Sequence, residues 1–127
     1  MRVLAIGDIH GRNYWKSIPF SEFDRVVFLG DYLDSARLSN DVILRNLKDL
    51  IELQARYSHI DFLIGNHDLQ YLTGYAITGY RPSYEEIAMD LLLKLKWSYA
   101  KEIDSVLYTH AGLLKKFYSL LPNHQSN

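Results

Sequence analysis

The chain contains no cysteine. That absence excludes disulfides, thiolate metal sites and a cysteine nucleophile together. An excess of one charge sign is missing as well. Fourteen Lys and Arg stand against fifteen Asp and Glu, for a formal net charge of −1 with both signs mixed along the sequence. No broad cationic field is therefore present to hold a nucleic-acid backbone or an anionic membrane, and any selectivity for phosphate must come from a local site. No apolar stretch approaches the roughly 20 residues of a membrane span, since even Leu91-Leu92-Leu93 is followed by Lys94 and Lys96. Met1 to Ile6 runs straight into Gly7-Asp8, too short for a signal-peptide core and without a small-residue cleavage site behind it, so a cytoplasmic protein is expected. Repeats, linkers and low-complexity tracts are also lacking; only the Asn123 to Asn127 tail reads as frayed.

What is present suits one domain spanning residues 1–127. A 48% hydrophobic content is enough for a core that buries roughly two-thirds of the unfolded surface. Four short apolar runs, Val3 to Ile6, Val26 to Leu29, Phe62 to Ile64 and Val106 to Tyr108, are continuous rather than alternating, as expected of strands buried on both faces. Between the second and third runs, Ile43, Leu47, Leu50, Ile51 and Leu53 recur at helical spacing from Asn40 to about Tyr57, with Ser39 or Asn40 as N-cap. Between the third and fourth, Ser83 and Glu86 read as a capping box opening a helix that turns Ile87, Leu91, Leu92 and Leu95 inward. A short first helix is expected around Tyr14 to Ser17. The alternation of strands and helices predicts an α/β fold with a largely parallel sheet.

The chemistry lies in the residues directly after each run: Gly7-Asp8-Ile9-His10-Gly11, Gly30-Asp31-Tyr32-Leu33-Asp34, Gly65-Asn66-His67-Asp68 and Thr109-His110-Ala111-Gly112. Taken singly, each is an ordinary turn, because Gly, Asp and Asn tolerate turn backbone angles. All four fall at strand ends, however, and the carboxyl ends of parallel strands share one edge of an open α/β sheet, where ligands bind. Asp, His and Asn together suit Mn, Fe or Zn better than a dedicated Ca or Mg cage. Two such ions about 3.5–4 Å apart can hold a hydroxide in line with phosphorus and offset the charge on the transferring oxygens. His67 is a candidate proton donor to the leaving oxygen, with Asp34 or Asp68 to orient its ring.

These four motifs, in this order, resemble those of the calcineurin-like metallophosphoesterases, and the likeness runs from Val3 to about Leu114. The His-Ala-Gly segment leans toward the protein serine/threonine phosphatase-like and dinucleoside tetraphosphatase-like branches. The resemblance implies a sandwich of two sheets flanked by helices and a dinuclear site filled by two divalent transition-metal ions, Mn²⁺ foremost, with Fe, Zn and Ni also used. Asp8 and His10 would hold the first metal, Asp31 would bridge, and Asn66 and His110 would hold the second; His67 would be the general acid, oriented by Asp34. The implied activity is hydrolysis of a phosphorylated protein, nucleotide or small molecule, the alternative being an inactive scaffold of the same fold.

Two departures shape the expectations. Ser35 stands where the family pattern has a phosphate-gripping arginine, which makes Arg37 the substitute. The family also has a further metal-binding histidine and more strands beyond His-Ala-Gly, whereas this sequence reaches Asn127 with His124 alone after His110, in a polar tail that is not read as a ligand. Mainly the first, parallel half of the sandwich is therefore expected, with an uncovered apolar face that points to a homo-oligomer. His59 is read as an exposed loop residue, Trp15 and Trp97 as packing residues, Lys115-Lys116 as a solvated face, and Tyr71, Tyr75, Tyr80 and Tyr84 with Arg81 as a loop packed on a helix rather than an aromatic wall.

Overall fold

Val3-Leu4-Ala5-Ile6, Arg25-Val26-Val27-Phe28 and Ile60-Asp61-Phe62-Leu63 are too short for helices and rich in the β-branched and aromatic residues that fit a pleated surface. In the computed structural model, which describes residues 1–111, they form strands β1 (Val3–Ile6), β2 (Arg25–Phe28) and β3 (Ile60–Leu63). A two-residue strand β4 (Trp97–Ser98) completes a wholly parallel sheet in the order β1-β2-β3-β4. Neighbours in the sheet are also successive in the chain, so right-handed crossovers send every connection over the same face.

That face carries α1 (Asn40–Arg56) and α3 (Glu85–Lys94), whose Ile43, Leu47, Leu50, Leu91 and Leu92 are buried with Val26, Phe28 and Phe62 in the main core. Phe28 and Phe62, partners on adjacent strands, stack at 4.7 Å. Ser39 caps α1 by accepting the Val42 amide. The connection after β1 contains the expected short helical turn, Tyr14–Ser17, and buries Trp15, whose indole N–H donates to Asn46 on α1 at 2.9 Å. A further helix, α2 (Asn66–Thr73), starts directly at the third motif and stops at Gly74, whose left-handed φ of 81° ends helices without a Cβ penalty.

On the opposite face Val27 and Leu63 meet Ile103, with Val3, Leu29 and Tyr108 around them. Ile103 belongs to an antiparallel hairpin of β5 (Ala100–Ile103) and β6 (Val106–Thr109). Its two-residue turn, Asp104-Ser105, has φ of 51° and 65°, the mirror-type geometry whose twist matches the strands. The architecture is thus helices, parallel sheet and a small second sheet. Among the described residues no helix is long and apolar enough to cross a membrane.

Several expectations are corrected. The Val106 run is not a strand of the parallel sheet; it lies in the hairpin, and Trp97–Ser98 takes the fourth place. Nor is this run buried on both faces, since Val106 and Leu107 are exposed; continuity of apolar residues here fixes neither burial nor the direction of pairing. The Ser83–Glu86 capping box does not form: Pro82–Tyr84 is a 3-10 turn, α3 begins at Glu85, and Ser83 Oγ accepts from Asn40 instead. Ile87 is half exposed rather than inward-facing, because the buried face of α3 is taken by Ala88, Leu91 and Leu92. His59 is half-buried, not exposed, with its Nε2 2.8 Å from the Phe20 carbonyl. Tyr71 and Tyr84 are buried, Tyr80 stacks on Tyr71 at 4.8 Å, and Tyr75 is exposed. Gly112, Lys115-Lys116 and His124 lie outside the described residues.

Candidate metal centre

Strands β1, β2 and β3 deliver Asp8, Asp31 and Asn66 to the same edge of the sheet, and the loops behind them are tied together by backbone hydrogen bonds. The Asp31 carbonyl accepts from the amides of Ile9 (3.0 Å) and His10 (2.7 Å), and the Tyr32 carbonyl accepts from Gly11 (3.1 Å). Asp68 provides a second tie. Fully buried, its carboxylate accepts four backbone N–H groups, from Asp31 (2.7 Å), Tyr32 (2.8 Å), Leu33 (3.0 Å) and Gly65 (3.1 Å). Burial pushes its carboxyl up to about 7, against the amide hydrogen bonds that pull the other way. The loops approach so closely that two glycines are required. A Cβ on Gly65 would lie 2.2 Å from Asp31 Oδ1, and one on Gly30 would lie 2.5 Å from the Gly65 nitrogen.

Asp31 sits at the centre, 3% exposed and with a left-handed φ of 61°. Its Oδ1 accepts the His67 amide at 2.9 Å. Its Oδ2 lies 3.6 Å from His10 Nε2 and 3.2 Å from His110 Nε2. Both imidazoles are turned by their other nitrogen: His10 Nδ1 bonds the carbonyls of Leu33 (2.8 Å) and Asp34 (2.9 Å), and His110 Nδ1 bonds that of Leu29 (2.9 Å). Because carbonyls only accept, each Nδ1 carries a proton, and in the neutral imidazole this leaves Nε2 as the free nitrogen facing the carboxylate, the tautomer that suits a metal ligand. The Asn66 amide atom facing this cluster lies 2.9 Å from His110 Nε2 and 3.2 Å from both Asp31 oxygens. With nitrogen there it donates to all three; with oxygen there it joins them as another acceptor. Asp8, which is exposed, completes a group with Asp31 and His110 whose ligand atoms all lie within 4.8 Å.

The neighbouring carboxylate is surrounded differently. Asp34, 2% exposed and at φ 65°, accepts the Tyr71 and Tyr84 hydroxyls on Oδ1 (2.5 and 2.6 Å) and Gln70 Nε2 and His67 Nδ1 on Oδ2 (2.6 and 3.0 Å). Burial, then donation to Asp34, raises the hydroxyl pKa of both tyrosines, which keeps them as donors. His67 packs edge-to-face on His10 with ring centroids 5.2 Å apart.

The five expected ligands, Asp8, His10, Asp31, Asn66 and His110, are thus brought together around Asp31. Asp34, not Asp68, holds the His67 ring. Arg37 lines a cavity of about 620 Å³ that also contains His10 and His67. Sequence reasoning missed Asp68 as a tie between loops, Gln70, Tyr71 and Tyr84 as the setting of Asp34, and Arg12 on the cavity wall.

The model of the calcineurin-like phosphoesterase family matches residues 1–125. The chain belongs to that family. As a calcineurin-like phosphoesterase it is a member of a group of metal-dependent hydrolases of phosphate esters, and Asp8, Asp31 and His110 form a group that could hold a metal ion. No curated protein matches the chain.

Proposed function

We propose that this phosphoesterase hydrolyses phosphate esters at a dinuclear site, with Asp8 and His10 holding one ion, Asn66 and His110 the other, and Asp31 bridging. The observation that carries the reading is the convergence on Asp31: two imidazole Nε2 atoms, acceptors in the neutral ring, face one carboxylate oxygen at 3.2 and 3.6 Å. Acceptors gathered in a half-buried place repel one another until a cation joins them. Mixed nitrogen and oxygen donors without thiolate suit Mn²⁺, with Fe, Zn and Ni as alternatives. Divalent ions bound there would acidify water to a nucleophile and offset charge on the phosphoryl oxygens.

The chain's own groups do the rest. His67 is oriented through Nδ1 by Asp34, which leaves Nε2 to protonate the leaving oxygen. Arg37, on the wall of the same cavity, supplies a guanidinium in place of the one that Ser35 lacks. Release of phosphate from p-nitrophenyl phosphate with added Mn²⁺, against the same assay of Asp31→Asn, tests the reaction; equal rates would defeat it. For the proton donor, His67→Ala should impair esters with poor leaving groups more than p-nitrophenyl phosphate, whose phenolate needs little protonation, by a margin within the 10²- to 10⁴-fold typical of general acid catalysis. Equal losses on both esters would remove His67 from that role.

A further inference from the structure

The cavity beside the centre is far larger than a phosphoryl group. At about 620 Å³ it lies in the range of roughly 300–1,000 Å³ typical of small-molecule sites. Three loops wall it: His10 and Arg12 from the loop after β1, Asp34 and Arg37 from the loop after β2, and Gly79 from the segment after α2, with His67 on α2 itself. Ala36 and Leu38 supply apolar wall, so the space suits a compact organic group.

Arg12 is fixed to this wall by backbone carbonyls. Its Nη2 donates to the Asp8 carbonyl at 2.6 Å and its Nε to the Ile9 carbonyl at 3.1 Å, and the guanidinium lies 5.9 Å from the Tyr14 ring centre. A guanidinium has five N–H donors, so three are left for a ligand. The groups that anchor it are neutral carbonyls, and no carboxylate among the described residues pairs with it. Arg25, by contrast, is paired with the carboxylate of Asp61, and Arg81, held by Asn40 and the Ser35 carbonyl, does not line this cavity. Arg12 is a cation held in place, with its charge unspent, two residues from a site histidine.

We propose that Arg12 is a specificity-determining residue that binds a second anionic group on the substrate's leaving portion, so that the preferred substrates are small phosphate esters or anhydrides carrying such a group, a nucleoside diphosphate being a suitable probe. The inference rests on the phosphoester hydrolase reading above. His67 and the metal centre address the scissile phosphate, and the leaving group extends along the apolar wall with its own phosphate on Arg12. A pre-positioned guanidinium binds phosphate through short, charge-assisted hydrogen bonds and loses little side-chain freedom in doing so.

The test compares a nucleoside 5′-diphosphate with phenyl phosphate in the wild type, Arg12→Gln and Arg12→Lys, all with saturating Mn²⁺. Arg12→Gln should lower kcat/KM for the diphosphate about 10- to 100-fold more than that for phenyl phosphate, mainly through KM, with Arg12→Lys in between. Phenyl phosphate doubles as the control for folding. Equal losses on both substrates, or a wild type that gains nothing from the second phosphate, would overturn the assignment. A second arm needs no turnover: calorimetric binding of the methylene-bridged analogue of the diphosphate should weaken by the same factor in Arg12→Gln. If neither substrate turns over while the analogue still depends on Arg12, the hydrolase reading falls and this subsite stands; if phenyl phosphate is hydrolysed while analogue binding ignores Arg12, the reverse holds.

Discussion

Asp31 and Asp34 stand three residues apart on one loop, both nearly inaccessible (3% and 2% exposed) and both in left-handed backbone at φ 61° and 65°. Their surroundings are opposite. Asp34 meets four side-chain donors, two hydroxyls, an amide and an imidazole N–H. Asp31 has its Oδ1 satisfied by a backbone amide, while its Oδ2 faces the Nε2 atoms of His10 and His110 and the side-chain amide of Asn66. A carboxylate saturated with donors is part of the protein's own framework. One that shares an edge with two imidazole nitrogens and an Asn amide is placed to share a cation with them. Strain and electrostatic conflict of this kind accumulate where function requires them and are offset elsewhere, here by Asp68 and the hydrogen bonds that tie the loops together.

The contrast can be broken experimentally at several points. Asp31→Asn should have the largest effect on turnover, about 10³-fold or more, since charge stabilisation by metal ions is worth several kcal/mol. In chelator the same variant should melt no lower than the wild type, because a carboxamide can donate where the carboxylate repels; a clear drop in chelator would mean that Asp31 is a framework residue like Asp34. Asp68→Asn should lower stability by about 2–4 kcal/mol in denaturant unfolding, as its NH₂ would confront two of the buried amides that the carboxylate now satisfies. Asp34→Asn should reduce turnover of a poor-leaving-group ester about 10- to 100-fold, the usual cost of disturbing a group that orients an active residue, while metal affinity stays within a few-fold. Tyr71→Phe removes one of the four donors on Asp34 and should cost about 1 kcal/mol with little change in kcat; a loss as large as that of Asp34→Asn would show that the hydroxyl sets the position of His67 by itself.

Much of the centre was legible because it is dictated by topology. A glycine and an Asp or Asn after each apolar run, placed at the carboxyl ends of parallel strands, must converge, and Asp8, Asp31 and Asn66 do. His110 was found for the wrong reason: β6 runs antiparallel to β5, yet its end still reaches the Leu29 carbonyl at the same edge. The setting of Asp34 was not legible, since Gln70, Tyr71 and Tyr84 lie 36 to 50 residues away along the chain and no periodicity links them to it. Two residues of strand, Trp97–Ser98, carry too short a pattern to stand out from the end of a helix. Asn66-His67-Asp68, read as a ligand and proton-donor motif, is also the first turn of α2, with Asp68 accepting the Gly65 amide as an acidic residue in that position does.

Titrating Mn²⁺ into chelator-treated protein, by calorimetry and by thermal unfolding of the same sample, addresses the central claim without requiring turnover. If acceptors gathered around Asp31 form a cation site, binding heat should be accompanied by a rise in Tm on the order of 10 °C at about 100-fold excess over Kd, and both should vanish in Asp31→Asn but persist in Asp34→Asn. No heat and no shift at millimolar Mn²⁺, or a shift that survives Asp31→Asn, would contradict the account.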